Sequence, residues 1–131
     1  MERREVVNIV FYDEDKRILL EQRSENPEQD EEWSFFAEDI EEDSPEERLK
    51  KMVRRNFSYQ LEDFEYLGEV DSNFDFYDKR HVFASSLTDK LTGFIPHPEV
   101  TMDLFTVEEA KNLDMLQGDK EVLDMVKDYL D

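Results

Sequence analysis

The chain has no cysteine. That absence excludes disulfides, thiolate metal sites and cysteine nucleophiles. Glycine is nearly as scarce, with three in 131 residues, which leaves little room for a glycine-rich loop cradling phosphates through its backbone amides. Long hydrophobic runs are missing too. The apolar stretch near the N-terminus is interrupted by Asn8 and is too short for a signal peptide or a membrane span. A cytoplasmic protein with no membrane partner is expected. Basic residues are the other shortage: 16 against 36 acids, for a formal net charge of −20. Bare nucleic acid is therefore not expected as a partner, because duplex binding needs lysines and arginines to replace counterions.

What is present is an acidic chain of single-domain length. The acidity fits adaptation to high salt or a demand for solubility, although lysine and arginine are equally frequent. Apolar residues are gathered in segments, which argues for a folded core rather than disorder. Val6–Tyr12 is rich in β-branched and aromatic residues and predicts a strand; Asp13–Lys16 predicts a turn and Arg17–Gln22 the returning strand of an antiparallel hairpin. Ser24–Glu32 predicts a polar loop. Trp33–Phe36 predicts a short buried strand. Strands are expected over Phe64–Val70 and Phe74–Ser86, around a turn at Asp71-Ser72-Asn73, and over Val100–Phe105, after a loop at Gly93–Pro98. Thr106 and Glu109 form a T-x-x-E capping box for a short helix through Leu113, and Asp119 is expected to cap the last helix. The order of elements implies a mixed α+β or α/β sandwich.

The segment Trp33–Tyr59 organises the rest: an aromatic strand, an acidic loop and one strongly marked helix. Ser44 suits the N-cap, Pro45 the first helical position, and Glu47 completes S-x-x-E. Leu49, Met52, Val53 and Phe57 then recur at three- and four-residue spacing and predict one apolar face over a helix reaching about Ser58. Carboxylates bunch in the loop, whereas the helix is basic, with Arg48, Lys50, Lys51, Arg54 and Arg55. Two separated histidines without cysteine make no metal site; His81 is expected to be structural. Trp33, Phe35, Phe36, Phe74, Phe76 and Tyr77 are expected in the core, with Phe74–Tyr77 the stretch most suited to lining a pocket.

In order and in motif, nearly the whole chain resembles the Nudix hydrolase superfamily. ILLEQRS at 18–24 resembles the family's second strand with its arginine, Trp33–Tyr59 the lead-in and Nudix box, and HPEVTMDLFTVEEAKNL at 97–113 the late loop, strand and closing helix. The layout is shared by several branches, including the isopentenyl-diphosphate isomerase-like one, but that isomerisation uses a cysteine and this chain has none. The resemblance implies an α/β/α sandwich with a small mixed sheet between helices.

The family box, G-x5-E-x7-R-E-U-x-E-E-x-G-U with U apolar, falls on this chain without a gap. The opening glycine lands on Ala37, the first acid on Asp43, the arginine on Lys51 and the apolar position on Val53. The three helical carboxylates land on Met52, Arg55 and Asn56, and the closing glycine on Ser58. Positions 52, 55 and 56 share one helix face. In the family that face binds Mg²⁺ or Mn²⁺, hard cations that need oxygen ligands. Met52 offers none, Asn56 one neutral carbonyl, and Arg55 repels a cation.

Two functions follow as expectations. The first is a Nudix-fold domain with a degenerate, non-catalytic box, kept to bind a nucleotide, another diphosphate-containing small molecule or a protein partner. Lys51 and Arg55, assisted by Arg23, would then meet a phosphate directly. The second is a divergent Mg²⁺- or Mn²⁺-dependent hydrolase of nucleoside diphosphate-linked compounds, with metal held from the loop side by Glu38, Glu41, Glu42, Asp43 and Glu47, and by Glu99 in the late loop. Against it, first-turn acids also simply favour the helix dipole, and the basic side chains would neutralise neighbouring acids. An unrelated acidic α+β domain would show another topology.

Overall fold

A computed structural model of the chain describes residues 4–23, 33–72, 78–87, 100–115 and 117–131. Seven strands form one mixed sheet among these residues: β1 (Arg4–Tyr12), β2 (Ile18–Arg23), β3 (Trp33–Ser34), β4 (Phe36–Asp39), β5 (Glu65–Ser72), β6 (Asp78–Ser86) and β7 (Val100–Phe105). The helices are α1 (Pro45–Phe57), α2 (Val107–Ala110) and α3 (Gln117–Leu130). The main path runs β3-β2-β1-β6-β5, with β4 on β1 and β7 on β2. β1 and β6 are parallel; the other pairs are antiparallel.

Alternation along β1 divides the core between two faces. Val7, Ile9 and Phe11 join Phe83 and the α1 residues Leu49, Met52, Val53 and Phe57 on one side. Val10 joins Leu20, Val82, Ala84 and the α3 residues Val122, Leu123 and Val126 on the other. Helices thus cover both faces, the expected α/β/α sandwich. Phe57 anchors α1, its ring meeting Phe11 at 5.4 Å and Phe36 at 4.8 Å edge to face. Each such fully buried side chain contributes on the order of 1.5–3 kcal/mol through area removed from water.

Several boundaries differ from the expectation. The single strand at 33–36 is two: Trp33 pairs with Gln22 of β2, while Phe36 pairs with Ile9 of β1. The chain changes partner at Phe35, whose side chain is buried. The hairpin of β1 and β2 meets only at Tyr12 and Ile18, and most of β2 lies against β7 instead. Asp71 and Ser72 belong to β5, facing Lys79 and Asp78, because cross-strand pairing continues past the turn signal. α2 is one turn and ends at Ala110, short of Leu113; its Thr106–Glu109 capping box is fully formed. α3 begins at Gln117, so Asp119 sits in its first turn and does not cap it. The loops 24–32 and 93–98, Asn73, Phe74, Phe76, Tyr77, His97 and Glu99 lie outside the described residues.

α1 starts and stops as its ends dictate. The Ser44 hydroxyl oxygen accepts the Glu47 amide at 3.2 Å, and the hydroxyl donates to the Glu47 carboxylate at 3.1 Å. Ser58 closes the helix in the left-handed region, φ 52° and ψ 39°, its amide donating to the Arg54 carbonyl. A residue with a Cβ is strained there. Ser58→Gly should therefore stabilise the fold by about 0.5–1 kcal/mol, the strain relieved less the entropy glycine adds to the unfolded chain; a rise in the urea midpoint at unchanged slope checks it.

Candidate functional site

The helix face at 52, 55 and 56 opens toward β4, where three side chains take three different fates. Met52 is 1% exposed and packed in the core under α1. Asn56 turns back, its Nδ2 donating to the Met52 carbonyl at 2.9 Å. Arg55 reaches out and pairs with Glu38 of β4. None of the three presents an anionic oxygen.

The loop acids are engaged by cations of the same helix. Arg48, with its side chain only 13% exposed, meets Glu38 at 3.2 Å, Asp43 at 2.9 Å and Glu41 at 3.5 Å. Lys51 Nζ donates to both Asp43 oxygens, at 3.2 and 3.0 Å. The Lys51 hydrogen bond, with Lys51 and Arg48 charge behind it, holds the Asp43 carboxyl below its usual value. Glu38, Glu41 and Asp43 thus face Arg48, Lys51 and Arg55, a locally neutral patch. Glu47 accepts the Ser44 hydroxyl in the helix cap, and Glu42 is exposed. Among the described residues no three of the His, Asp and Glu side chains converge in a way that would hold a metal ion. Glu99 lies outside those residues, and of Arg23 only the backbone is described, paired with Val100 at the end of β2.

The donor set does not suit the divalent ions of this box. Mg²⁺ and Mn²⁺ need several hard oxygen ligands in fixed geometry. Here a thioether, a backbone-bonded amide and a guanidinium stand at the ligand positions. The cation at the patch is instead covalently part of the helix. The frame nevertheless survives: Asp43 is four residues into the lead from Asp39, α1 starts at Pro45, and the position of the box's closing glycine, Ser58, keeps a left-handed conformation.

A second feature was not legible in the sequence. On the opposite flank of α1, Tyr66 of β5 lies over Phe83 and beside His81 of β6, its ring centroid 5.1 and 6.3 Å from theirs. Tyr66 is 50% exposed, and its hydroxyl is 3.4 Å from His81 Nδ1. His81 is buried, as expected of a structural residue, yet it forms part of the wall of a cavity of about 430 Å³. Only the pairing of β5 with β6 assembles these rings; a distance of 15 positions in the chain carries no signal for it.

The comparisons with known proteins come to the same fold. No curated protein matches the chain. Among solved structures, the NUDIX domain of Shewanella oneidensis NrtR, complexed with ADP ribose, superposes with a TM-score of 0.76 at 14% identity, over 100% of this chain and 90% of that one. The E. coli ORF135 protein superposes at 0.78 and 20% identity, over 98% and 91%. The C-terminal domain of mouse MUTYH, in complex with human PCNA, superposes at 0.71 and 18% identity, over 98% and 90%. The sequence model of the NUDIX domain matches residues 2–126, and with the box frame and the sandwich already in place, the chain belongs to the Nudix family.

Proposed function

We propose that this is a Nudix domain whose box has exchanged metal ligation for an internal network of arginine, lysine and carboxylate, and that it serves as a binding module for a diphosphate-containing small molecule or a protein. One observation carries the proposal: at the three helical positions that would hold carboxylates, Met52 is buried, Asn56 is bonded to its own helix and Arg55 is paired with Glu38. Hydrolysis in the family manner depends on cations that polarise the phosphoryl oxygens and activate water. Without ligands for them, the face retains its place in the fold but not the reagent.

The patch suits recognition better than turnover. Lys51 and Arg55 are more than half exposed, so a phosphate approaching this face meets two cations that can exchange a carboxylate partner for an anionic ligand. Related folds illustrate both kinds of use, one Nudix domain being seen with ADP ribose and another matching domain with a protein, PCNA.

The test is phosphate release from a panel of nucleoside diphosphate-linked compounds with Mg²⁺ or Mn²⁺, at low and multi-molar salt. Release at the level of the enzyme-free control is expected from the wild type, with ADP-ribose titrated in parallel by calorimetry. Arg55→Glu combined with Asn56→Glu should bind Mn²⁺ where the wild type does not. Metal-dependent release by the wild type that is lost on Glu99→Gln would overturn the proposal in favour of a relocated metal site.

A further inference from the structure

The register of β1 separates two sites. Val7 has Glu38 as its partner on one edge and His81 on the other, so with α1 lying above β1 the box patch and the aromatic groove occupy opposite flanks of the helix, about 10 Å apart in strand spacing. The groove is therefore separate from the patch around Glu38 and Arg55, although it borrows the first turn of the box helix. Its floor and one wall are Tyr66, Phe83 and His81; the other wall is the start of α1, with Pro45 and Glu46. Glu69, exposed on β5, also lines it.

We infer that this groove is a docking site for a basic side chain, an arginine or lysine, presented by a protein partner. Three properties of the groove converge on a cation. Tyr66 is half exposed, its ring lies tilted against Phe83, and an aromatic ring attracts guanidinium and ammonium groups through its quadrupole. Two carboxylates border the ring. Glu69 already meets Lys79 at 3.2 Å through one oxygen, with the other 3.8 Å from His81 Nδ1; for Glu46, no basic side chain among the described residues lies within ion-pair distance. A phosphate or carboxylate ligand would meet repulsion from both, whereas a planar guanidinium can lie on the tyrosine and direct its N–H groups to a carboxylate. The third property is the whole-chain charge of −20, which draws a basic partner toward the surface before any specific contact forms.

A protein is the occupant favoured over a small cation because the groove lies beside β5, the strand that ends the main path of the sheet. A partner's chain can run along that border while one side chain enters. This inference does not depend on whether the box is active.

The experiment is a titration of the isotopically labelled full chain with a blocked Gly-Gly-Arg-Gly-Gly peptide, followed by NMR at the Tyr66 and His81 rings, in 0.15 M salt. Gly-Gly-Glu-Gly-Gly and free arginine amide are the comparison probes. Saturable shifts localised to Tyr66, His81 and Glu69 are expected, with no response to the glutamate peptide and at least fivefold weaker binding of free arginine amide. Tyr66→Leu, which keeps every charge, should weaken the arginine peptide about tenfold, and Glu69→Gln about threefold. Undiminished binding to Tyr66→Leu would show general attraction to an acidic surface and overturn the site. Equal affinity for arginine amide and the peptide would overturn the protein as occupant, and absence of localised shifts would overturn both.

Discussion

Met52→Glu should destabilise the fold by about 3 kcal/mol or more, even though it restores the residue type that the Nudix box carries at this position. Met52 is 1% exposed among Leu49, Val53, Phe36 and Phe57. Removing a buried methionine's packing alone costs about 2–5 kcal/mol, and a carboxyl group placed there has no described cation or donor aimed at it, so it stays protonated. Its pKa in the folded state would then be raised above the unfolded value near 4.3. With the folded form binding the extra proton, the penalty relative to wild type should grow as pH rises above that value and shrink as pH falls below it. Urea unfolding of wild type and variant at pH 4 and pH 7 measures this directly. If Arg55→Glu and Asn56→Glu are added, Mn²⁺ should recover part of the stability by binding the folded state alone. A variant as stable as wild type at pH 7 without metal would show that position 52 can still turn a carboxylate outward, and with it that the box is less altered than its side chains indicate.

Breaking the Arg80–Asp119 pair should cost about 3–5 kcal/mol and lower the melting temperature by roughly 10–20 °C. Arg80 of β6 and Asp119 of α3 meet at 3.0 Å with side-chain exposures of 9% and 3%, across 39 positions of sequence. Removing either partner takes a buried counter-ion away from the other, which costs more than removing both. Arg80→Met with Asp119→Leu should therefore recover most of the loss of either single change to alanine. The fit around the pair is close: a Cβ at Gly118 would fall 2.6 Å from Arg80 Nη2, so the first turn of α3 lies against the guanidinium with glycine providing the clearance. A calorimetric melt of the two single variants and the double variant decides the matter. Additive losses would mean that the two groups are stabilised by separate neighbours rather than by each other.

Much of the fold was readable because the relevant signals are local. The cap at Ser44, the apolar face of α1, the capping box at Thr106 and the alternation of β1 are each written within a few neighbouring residues. The elements that depart from these local signals are those where a long-range partner decided. Asp119 has the chemistry of an N-cap, but a buried arginine from β6 takes its carboxylate. Trp33 to Phe36 has the composition of one strand, but β2 and β1 each claim part of it.

The candidate site shows the same division. The sequence alone determined that the box frame persists, that its three helical carboxylates are Met52, Arg55 and Asn56, and that no cysteine chemistry is open to the chain. These are properties of identity and spacing. Tertiary structure decided which acids Arg48, Lys51 and Arg55 engage, and that Tyr66, His81 and Phe83 form a wall on the far flank of α1. The reason is physical: with 36 acids and 16 bases, composition allows a great many ion pairs, and only strand register and helix rotation bring particular ones within contact distance.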